Sequence, residues 1–161
     1  MSNKQGSNDE FDNLPYLLEQ YKLYVEMMDR VAARRGKANQ FYLSLISALL
    51  GILTFFTDIE KIISNYKILS LLFLLFGLIL CISWYLNIDS YKQLNYLKFK
   101  VIFEMEQKLP FPCYTREWEI EEHLSIKYRR LTKIEKYIPI FFASIYIVLI
   151  GYSILSLLKI I

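Results

Sequence analysis

The chain has 161 residues, of which 55% are hydrophobic, 16% aromatic and 22% charged, and its formal net charge is +3. Charged residues are absent from three windows, 38–57, 68–88 and 137–158. A soluble helical bundle of this size has too few polar residues to cover three such segments, which argues against that class. The net charge is modest, and Asp and Glu share the segments that contain Lys and Arg, so we expect no binding to double-stranded nucleic acid.

The first 37 residues are polar or amphipathic. We predict a disordered tail over 1–13 and an amphipathic helix over 14–37, with Asn13 as its N-cap and Pro15 in its first turn. One face of this helix is apolar, because large apolar residues recur at helical spacing. They are Leu14, Leu17, Leu18, Tyr21, Val25 and Met28.

The three windows without charge have the length of membrane spans. They contain 20, 21 and 22 residues, and a bilayer core about 30 Å thick needs roughly 20 helical residues. We therefore predict transmembrane helices over 38–57, 68–88 and 137–158. Apolar residues continue at helical spacing past the second window to Leu109, before a proline pair, so 89–136 is predicted to be a cytoplasmic helix and loop.

These elements define the expected fold class. It is an all-α integral membrane protein with three transmembrane helices and a cytoplasmic helical bundle, formed by the N-terminal helix and the extension of the second span. Six Lys and Arg residues precede the first span and ten lie in 89–136, whereas 58–67 contains two. The positive-inside rule places the N-terminus in the cytoplasm and the C-terminus outside.

Polar and small residues follow one face of the first span. They are Gln40, Ser44, Ser47, Gly51 and Thr54, with Asp58 one turn further on. If several copies face a common axis, this stripe lines a pore and Asp58 forms a ring at its outer mouth. Alternatively, small and hydroxylated residues let helices pack closely. Both interpretations place the stripe against protein and not against lipid.

A basic cluster precedes the first span. Its members are Arg30, Arg34, Arg35 and Lys37. They are interpreted either as an anchor to anionic headgroups that also sets the topology, or as a ring at the cytoplasmic mouth that binds an anionic activator or tunes ion selectivity.

Few residues are candidates for covalent chemistry. Six residues lie between Arg116 and His123, which matches the Arg-x(4–6)-His pattern of HEPN ribonucleases, whose Arg and His meet at a dimer interface; the alternative is a solvated acidic loop. One histidine and two cysteines cannot form a Cys/His metal cluster within a chain. We find no Gly-rich phosphate loop, nucleophile elbow or zinc motif, and we expect no metal, no cofactor and no enzymatic activity.

Several segments together resemble the RipA-type family of small octameric bacterial membrane proteins. The resemblance covers about residues 14–150 and rests on LEQYKLYVEMMDR (18–30), Arg34-Arg35, Ala38-Asn39, KFKVIFEMEQKLP (98–110) and IEKYIP (134–139). It implies a homo-oligomer, an octamer, in the bacterial inner membrane. More distantly, the chain is similar to small pore-forming antiphage effectors that accompany some RNA-targeting CRISPR systems, through the spacing of Arg116 and His123 alone.

The function expected from these features is a homo-oligomeric inner-membrane pore or membrane-perturbing effector in antiphage defence. Its expected partners are the lipid bilayer, further copies of itself and a cytoplasmic activator such as a CRISPR effector or a nucleotidyltransferase product. Two alternatives stay open: a membrane-tethered HEPN-like ribonuclease that uses Arg116 and His123, and a non-conducting membrane scaffold.

Overall fold

The structure is a computed structural model. It describes residues 5–59, 66–124 and 131–158, with side chains at 13–54, 66–124 and 134–158. Over these ranges the regular elements are α-helices, as predicted. The helices are α1 (Gln5–Ile59), α2 (Tyr66–Glu106), α3 (Cys113–His123) and α4 (Leu131–Leu157).

Helix α1 joins two predicted elements into one helix of 55 residues, because it runs from the amphipathic segment through the first apolar window without a break at Gly36. It begins at Gln5, inside the segment predicted to be disordered and ahead of the N-cap predicted at Asn13. A cap preference of about 1 kcal/mol marks where a helix is able to begin and does not fix that position. Pro15 lies inside α1, where it removes one backbone hydrogen bond.

Helix α2 continues past the second apolar window, as predicted. Its 41 residues end at Glu106, within a turn of the predicted end at Leu109. The backbone N–H of Leu109 donates to the carbonyl of Glu106 at 3.0 Å, so the last turn tightens. Two prolines follow at 110 and 112, which excludes further α-helix there. The segment 89–136 also contains α3 and the start of α4, neither of which the charge pattern indicates.

The chain divides into two compact units. Unit 1 comprises Met1–Arg34 and Tyr91–Arg129, and unit 2 comprises Arg35–Ser90 and Arg130–Ile161. Unit 2 therefore contains the three windows without charge, and unit 1 contains the first amphipathic segment, the polar half of α2 and α3. The division after Arg34 lies three residues before the predicted start of the first span, and the division after Ser90 lies two residues after the predicted end of the second span.

The core of unit 2 is built by all three of its helices. Its buried side chains are Ile46 from α1, Leu74, Cys81, Trp84 and Ile88 from α2, and Tyr146 from α4. The indole N–H of Trp84 donates to Asn39 Oδ1 at 2.8 Å, so a polar side chain at the start of the first window is paired within the core. The ring of Tyr42 stacks on Trp84 with centroids 6.0 Å apart.

Tyr146 connects the three helices of unit 2. It projects from α4, its hydroxyl donates to the carbonyl of Ile46 on α1 at 3.2 Å, and its ring lies against Gly77 on α2. A Cβ atom at Gly77 would overlap that ring. Because Tyr146 is fully buried and hydrogen-bonded, the ring has little room to move. The close crossing of α2 and α4 therefore requires glycine at this position.

Two of the described helices are long and apolar enough to cross a membrane, Tyr66–Glu106 and Ile134–Leu157. Only 22% and 6% of their most apolar 18-residue windows are buried within the chain. A core helix of a soluble protein is mostly buried, so these helices leave large apolar surfaces for lipid or for other subunits. The predicted span over 38–57 lies within α1, but the described side chains of α1 end at residue 54, so only part of that window is described.

We predict that Gly77→Ala destabilises the protein, because the added methyl group overpacks the contact with Tyr146. Overpacking of a filled core costs about 1–3 kcal/mol. The control is Gly151→Ala, since a Cβ at Gly151 on α4 would meet nothing within 4 Å. Thermal unfolding in detergent, followed by the fluorescence of the buried Trp84, should show a lower midpoint for Gly77→Ala alone. Equal midpoints would contradict the close crossing.

Candidate functional site

The polar stripe of α1 is turned away from the rest of the chain. Its described members are all exposed, whereas Tyr42, Ile46 and Leu49, on the opposite face of α1, are half-buried or buried. The members are Gln40, Ser44, Ser47, Gly51 and Thr54. Packing within one chain therefore does not explain the stripe. Asp58, the predicted outer-mouth residue, lies in the helical part of α1, and its side chain is outside the described residues.

The stripe combines small side chains with local hydrogen bonding. The hydroxyl of Thr54 donates to the carbonyl of Gly51 at 2.6 Å, so its proton is held by its own helix. No atom outside α1 would come within 4 Å of a Cβ at Gly51. From Gln40 to Thr54 the stripe is about 21 Å long at about 1.5 Å per residue. This is a narrow polar surface on an otherwise apolar helix.

Charged side chains join the three helices of unit 2 at one end of its core. Arg35 on α1 pairs with Glu135 on α4, with Nη2 and Oε1 3.5 Å apart. Lys136, the next residue of α4, pairs with Asp89 on α2, and its ammonium group lies 4.8 Å from the centroid of the Tyr85 ring. Each cation is neutralised by a carboxylate of another helix. We call these four charged residues the charged layer.

A second polar contact lies near the other end of the same helices. Lys67, in the first turn of α2, donates from Nζ to the carbonyl and the hydroxyl of Ser156 on α4, at 3.3 and 3.1 Å. A cation at the last carbonyls of a helix is favourable because the helix dipole is negative there. The polar contacts at the two ends are 20 residues apart along α4 and 22 along α2. These lengths correspond to about 30 and 33 Å of helix.

The predicted basic cluster is divided between two roles. Arg30 pairs with Glu26 of the same helix at 2.7 Å, with both side chains exposed, and Arg35 belongs to the charged layer. Arg34 and Lys37 are exposed. Two of the four cations are therefore engaged with carboxylates, and two lie on the surface of α1.

Glu106 is a structural residue that the sequence patterns did not reveal. It is 1% exposed and accepts four hydrogen bonds. Its partners are the hydroxyl of Tyr21 at 3.0 Å, the backbone N–H groups of Tyr114 and Thr115 at 2.8 and 3.1 Å, and the hydroxyl of Thr115 at 3.2 Å. Pro112, which precedes α3, offers no capping side chain. The last residue of α2 therefore caps α3, where a negative charge is favourable.

Two tyrosines near Glu106 are held in their protonated form. Burial, together with the hydrogen bond and negative charge of Glu106, raises the pKa of Tyr21 well above its usual value. Burial and the nearby Asp29 raise the pKa of Tyr114. Tyr21 therefore remains a hydrogen-bond donor to Glu106 at physiological pH, which ties α1, α2 and α3 together within unit 1.

Arg116 and His123 lie on α3 and not in a loop. A separation of seven residues places them on one face, about 10 Å apart along the axis. Both are exposed, and Arg116 pairs with Glu119 at 2.7 Å. Among the described residues, no other helix contributes a catalytic side chain in contact with Arg116 or His123. Within the described residues, no group of three or more His, Cys, Asp or Glu side chains is arranged to hold a metal ion.

The fold and these sites together define a class, the all-helical membrane proteins. Two features support this class: two long apolar helices that stay largely exposed, and a three-helix core with polar contacts at both ends. The model of the octameric membrane protein family (8xMP) matches residues 18–155, and the chain belongs to this family. This confirms the resemblance to a family of small octameric membrane proteins. Neither the curated proteins nor the solved structures contain a match to the chain.

We predict that Glu106→Gln loosens α3. The amide loses the charge that the N-terminus of α3 favours, and a weakened buried hydrogen bond of this kind costs about 1–3 kcal/mol. The control is Glu104→Gln, an exposed glutamate two residues earlier on α2. Hydrogen exchange should accelerate at the amides of Tyr114 and Thr115 in the first variant and stay unchanged in the second. Identical protection in both variants would show that Glu106 is not the cap.

Proposed function

We propose that the chain forms a homo-octameric pore or membrane-perturbing effector of the bacterial inner membrane, with a role in antiphage defence. The observation that carries the proposal is the polar stripe of α1, which is exposed on the chain and lies on a helix of the apolar unit. Membership of an octameric membrane family supports the assembly. The pore is the interpretation that gives this stripe a role.

The positions of the polar contacts support three spans. The charged layer and the Lys67–Ser156 contact lie about 30 Å apart along α4, which matches the thickness of the hydrocarbon core. Because α1 contributes Ile46 and Tyr42 to the same core, it crosses beside α2 and α4. The proposed spans are 38–57, 68–88 and 137–158. The excess of Lys and Arg on the side of the charged layer makes that side cytoplasmic.

In a membrane, the stripe belongs against water or protein. Five polar or small residues on one face are poorly matched to lipid, and all five are exposed in the part of the chain that the structure describes. In a ring of eight copies, this face of α1 lines the central axis. Asp58 then forms the outer mouth, and the exposed Arg34 and Lys37 form the inner mouth.

Gating follows from the continuity of α1 and α2. Each helix belongs to both units, so a cytoplasmic partner or an anionic signal that binds unit 1 or the inner-mouth cations acts on helices that also cross the membrane. The activator shifts the population towards the open assembly only if it binds that assembly more tightly. We propose no enzymatic step in this mechanism.

We predict that replacing Ser47 and Thr54 together with Leu reduces ion flux through liposomes without preventing assembly. The larger apolar side chains narrow and dewet the lumen. The control is Ser144→Leu, which removes an exposed serine of α4 that likewise donates to its own helix, at 2.7 Å to Phe141. The control should retain flux.

Two outcomes would contradict this reading. Unchanged flux in the Ser47 and Thr54 variant would mean that the stripe only packs helices between subunits. An absence of conductance in the unmodified protein, with and without its cytoplasmic partner, would favour a non-conducting membrane scaffold.

A membrane-tethered ribonuclease is the second candidate, because Arg116 and His123 are exposed on one face of α3. We predict that Arg116→Ala and His123→Ala, tested separately, keep both liposome flux and protection against phage, since neither residue belongs to the proposed lumen. Loss of protection together with loss of RNA cleavage in either variant would favour the ribonuclease.

A further inference from the structure

Unit 1 contains an apolar groove that its own chain leaves open. The groove has a volume of about 710 Å³ and lies between α1 and α2. Its apolar lining includes Leu17 and Tyr24 from α1 and Val101 and Met105 from α2, and its polar lining includes Glu104 on α2 and Gln107 and Lys108 in the turn after α2. No residue of α3 is among the lining residues. Glu106 and Tyr21, which hold α3, are not among them either.

Helix α3 presents a second unpartnered surface of the same unit. It has no buried residue, and Ile120 and Leu124 project large apolar side chains that are 44% and 64% exposed. Four residues separate them, so they lie on the same face of the helix. The capping contacts to Glu106 involve the start of α3, at Tyr114 and Thr115, and leave this apolar pair uncovered.

Helix α3 and the segment of α2 beside the groove carry opposite net charge, while the groove lining itself contains one cation, Lys108, and one carboxylate, Glu104. Helix α3 has four glutamates against one arginine, whereas the part of α2 in unit 1, with the turn that follows, has four lysines against one exposed glutamate. Those lysines are Lys92, Lys98, Lys100 and Lys108. Among the described residues, none of them forms an ion pair with α3; Lys98 and Lys100 lie over the rings of Tyr24 and Tyr96. The complementarity is thus unused within one chain.

A ring of eight identical chains needs two different surfaces on each chain that fit each other, because its contacts run head to tail. We propose that the Ile120–Leu124 face of α3 docks into the α1–α2 groove of the neighbouring copy. The apolar pair fills the groove, and the glutamates of α3 meet the lysines of α2. This inference rests on the octameric assembly and not on conduction through it.

Cysteine crosslinking tests the contact directly. Exposed Cys113 is replaced by Ser in all chains, and buried Cys81 is kept. Chains with Ile120→Cys and one affinity tag are co-expressed with chains that carry Gln107→Cys and a second tag. The octameric fraction in membranes or detergent is then treated with a short bis-maleimide. The expected product is a dimer that contains both tags.

The matched control moves the second cysteine to Lys22, an exposed residue of α1 at the level of the groove but on the opposite face. We expect several-fold more two-tag dimer with Gln107→Cys than with Lys22→Cys. Equal yields in the intact octamer would overturn the proposal, and so would dimers formed mainly between two Ile120→Cys chains, which would place α3 against α3. Flux is not measured, so failure of the pore hypothesis leaves this result unaffected.

Discussion

The cost of placing an ionised side chain in hydrocarbon governs the organisation of this protein. Among the described residues, no charged side chain belongs to the buried core of unit 2, and the charges nearest to that core are neutralised across helices. Arg35 pairs with Glu135, and Lys136 pairs with Asp89, at one end; Lys67 meets the last carbonyls of α4 near the other. Pairing reduces the penalty of partial burial and at the same time fixes the three helices relative to one another.

Within these limits, packing depends on shape. Hydrophobic burial contributes little between helices that are surrounded by lipid, so close contact and buried hydrogen bonds matter more. Gly77 lets α2 approach the ring of Tyr146, and the hydroxyl of Tyr146 reaches the backbone of α1. The Trp84–Asn39 bond adds a second polar connection. Two hydrogen bonds from aromatic side chains thus connect the helices in the core of unit 2.

Unit 1 combines a small buried core with exposed charged side chains. Its buried side chains include Met28, Val31 and Ile102, and one buried carboxylate, Glu106, is fully supplied with donors. Since α1 and α2 belong to both units, the same two helices change from an amphipathic pattern to an apolar one along their length. Both helices are therefore continuous across the division between the units.

The sequence predicted the parts of this structure that depend on local pattern. Charge-free windows and helical spacing were sufficient for the two apolar helices α2 and α4 and for the continuation of α2 past its apolar window. They were insufficient for α3, whose apolar residues do not form a buried face and whose cap comes from Glu106, eight residues before Tyr114. These patterns also did not show that Arg35, within the basic cluster, forms an ion pair with another helix, because its partner Glu135 lies one hundred residues away.

Imaging of the assembly in lipid nanodiscs is the most direct test of the central claim. We predict eight subunits, with a lipid belt bounded on one side by Arg35 and Glu135 and on the other by Lys67 and Ser156. Ser47 and Thr54 should point towards the central axis. Charged side chains in the middle of the belt would contradict the claim that exclusion of charge from hydrocarbon determines this fold, and lipid density against Ser47 and Thr54 would contradict the pore.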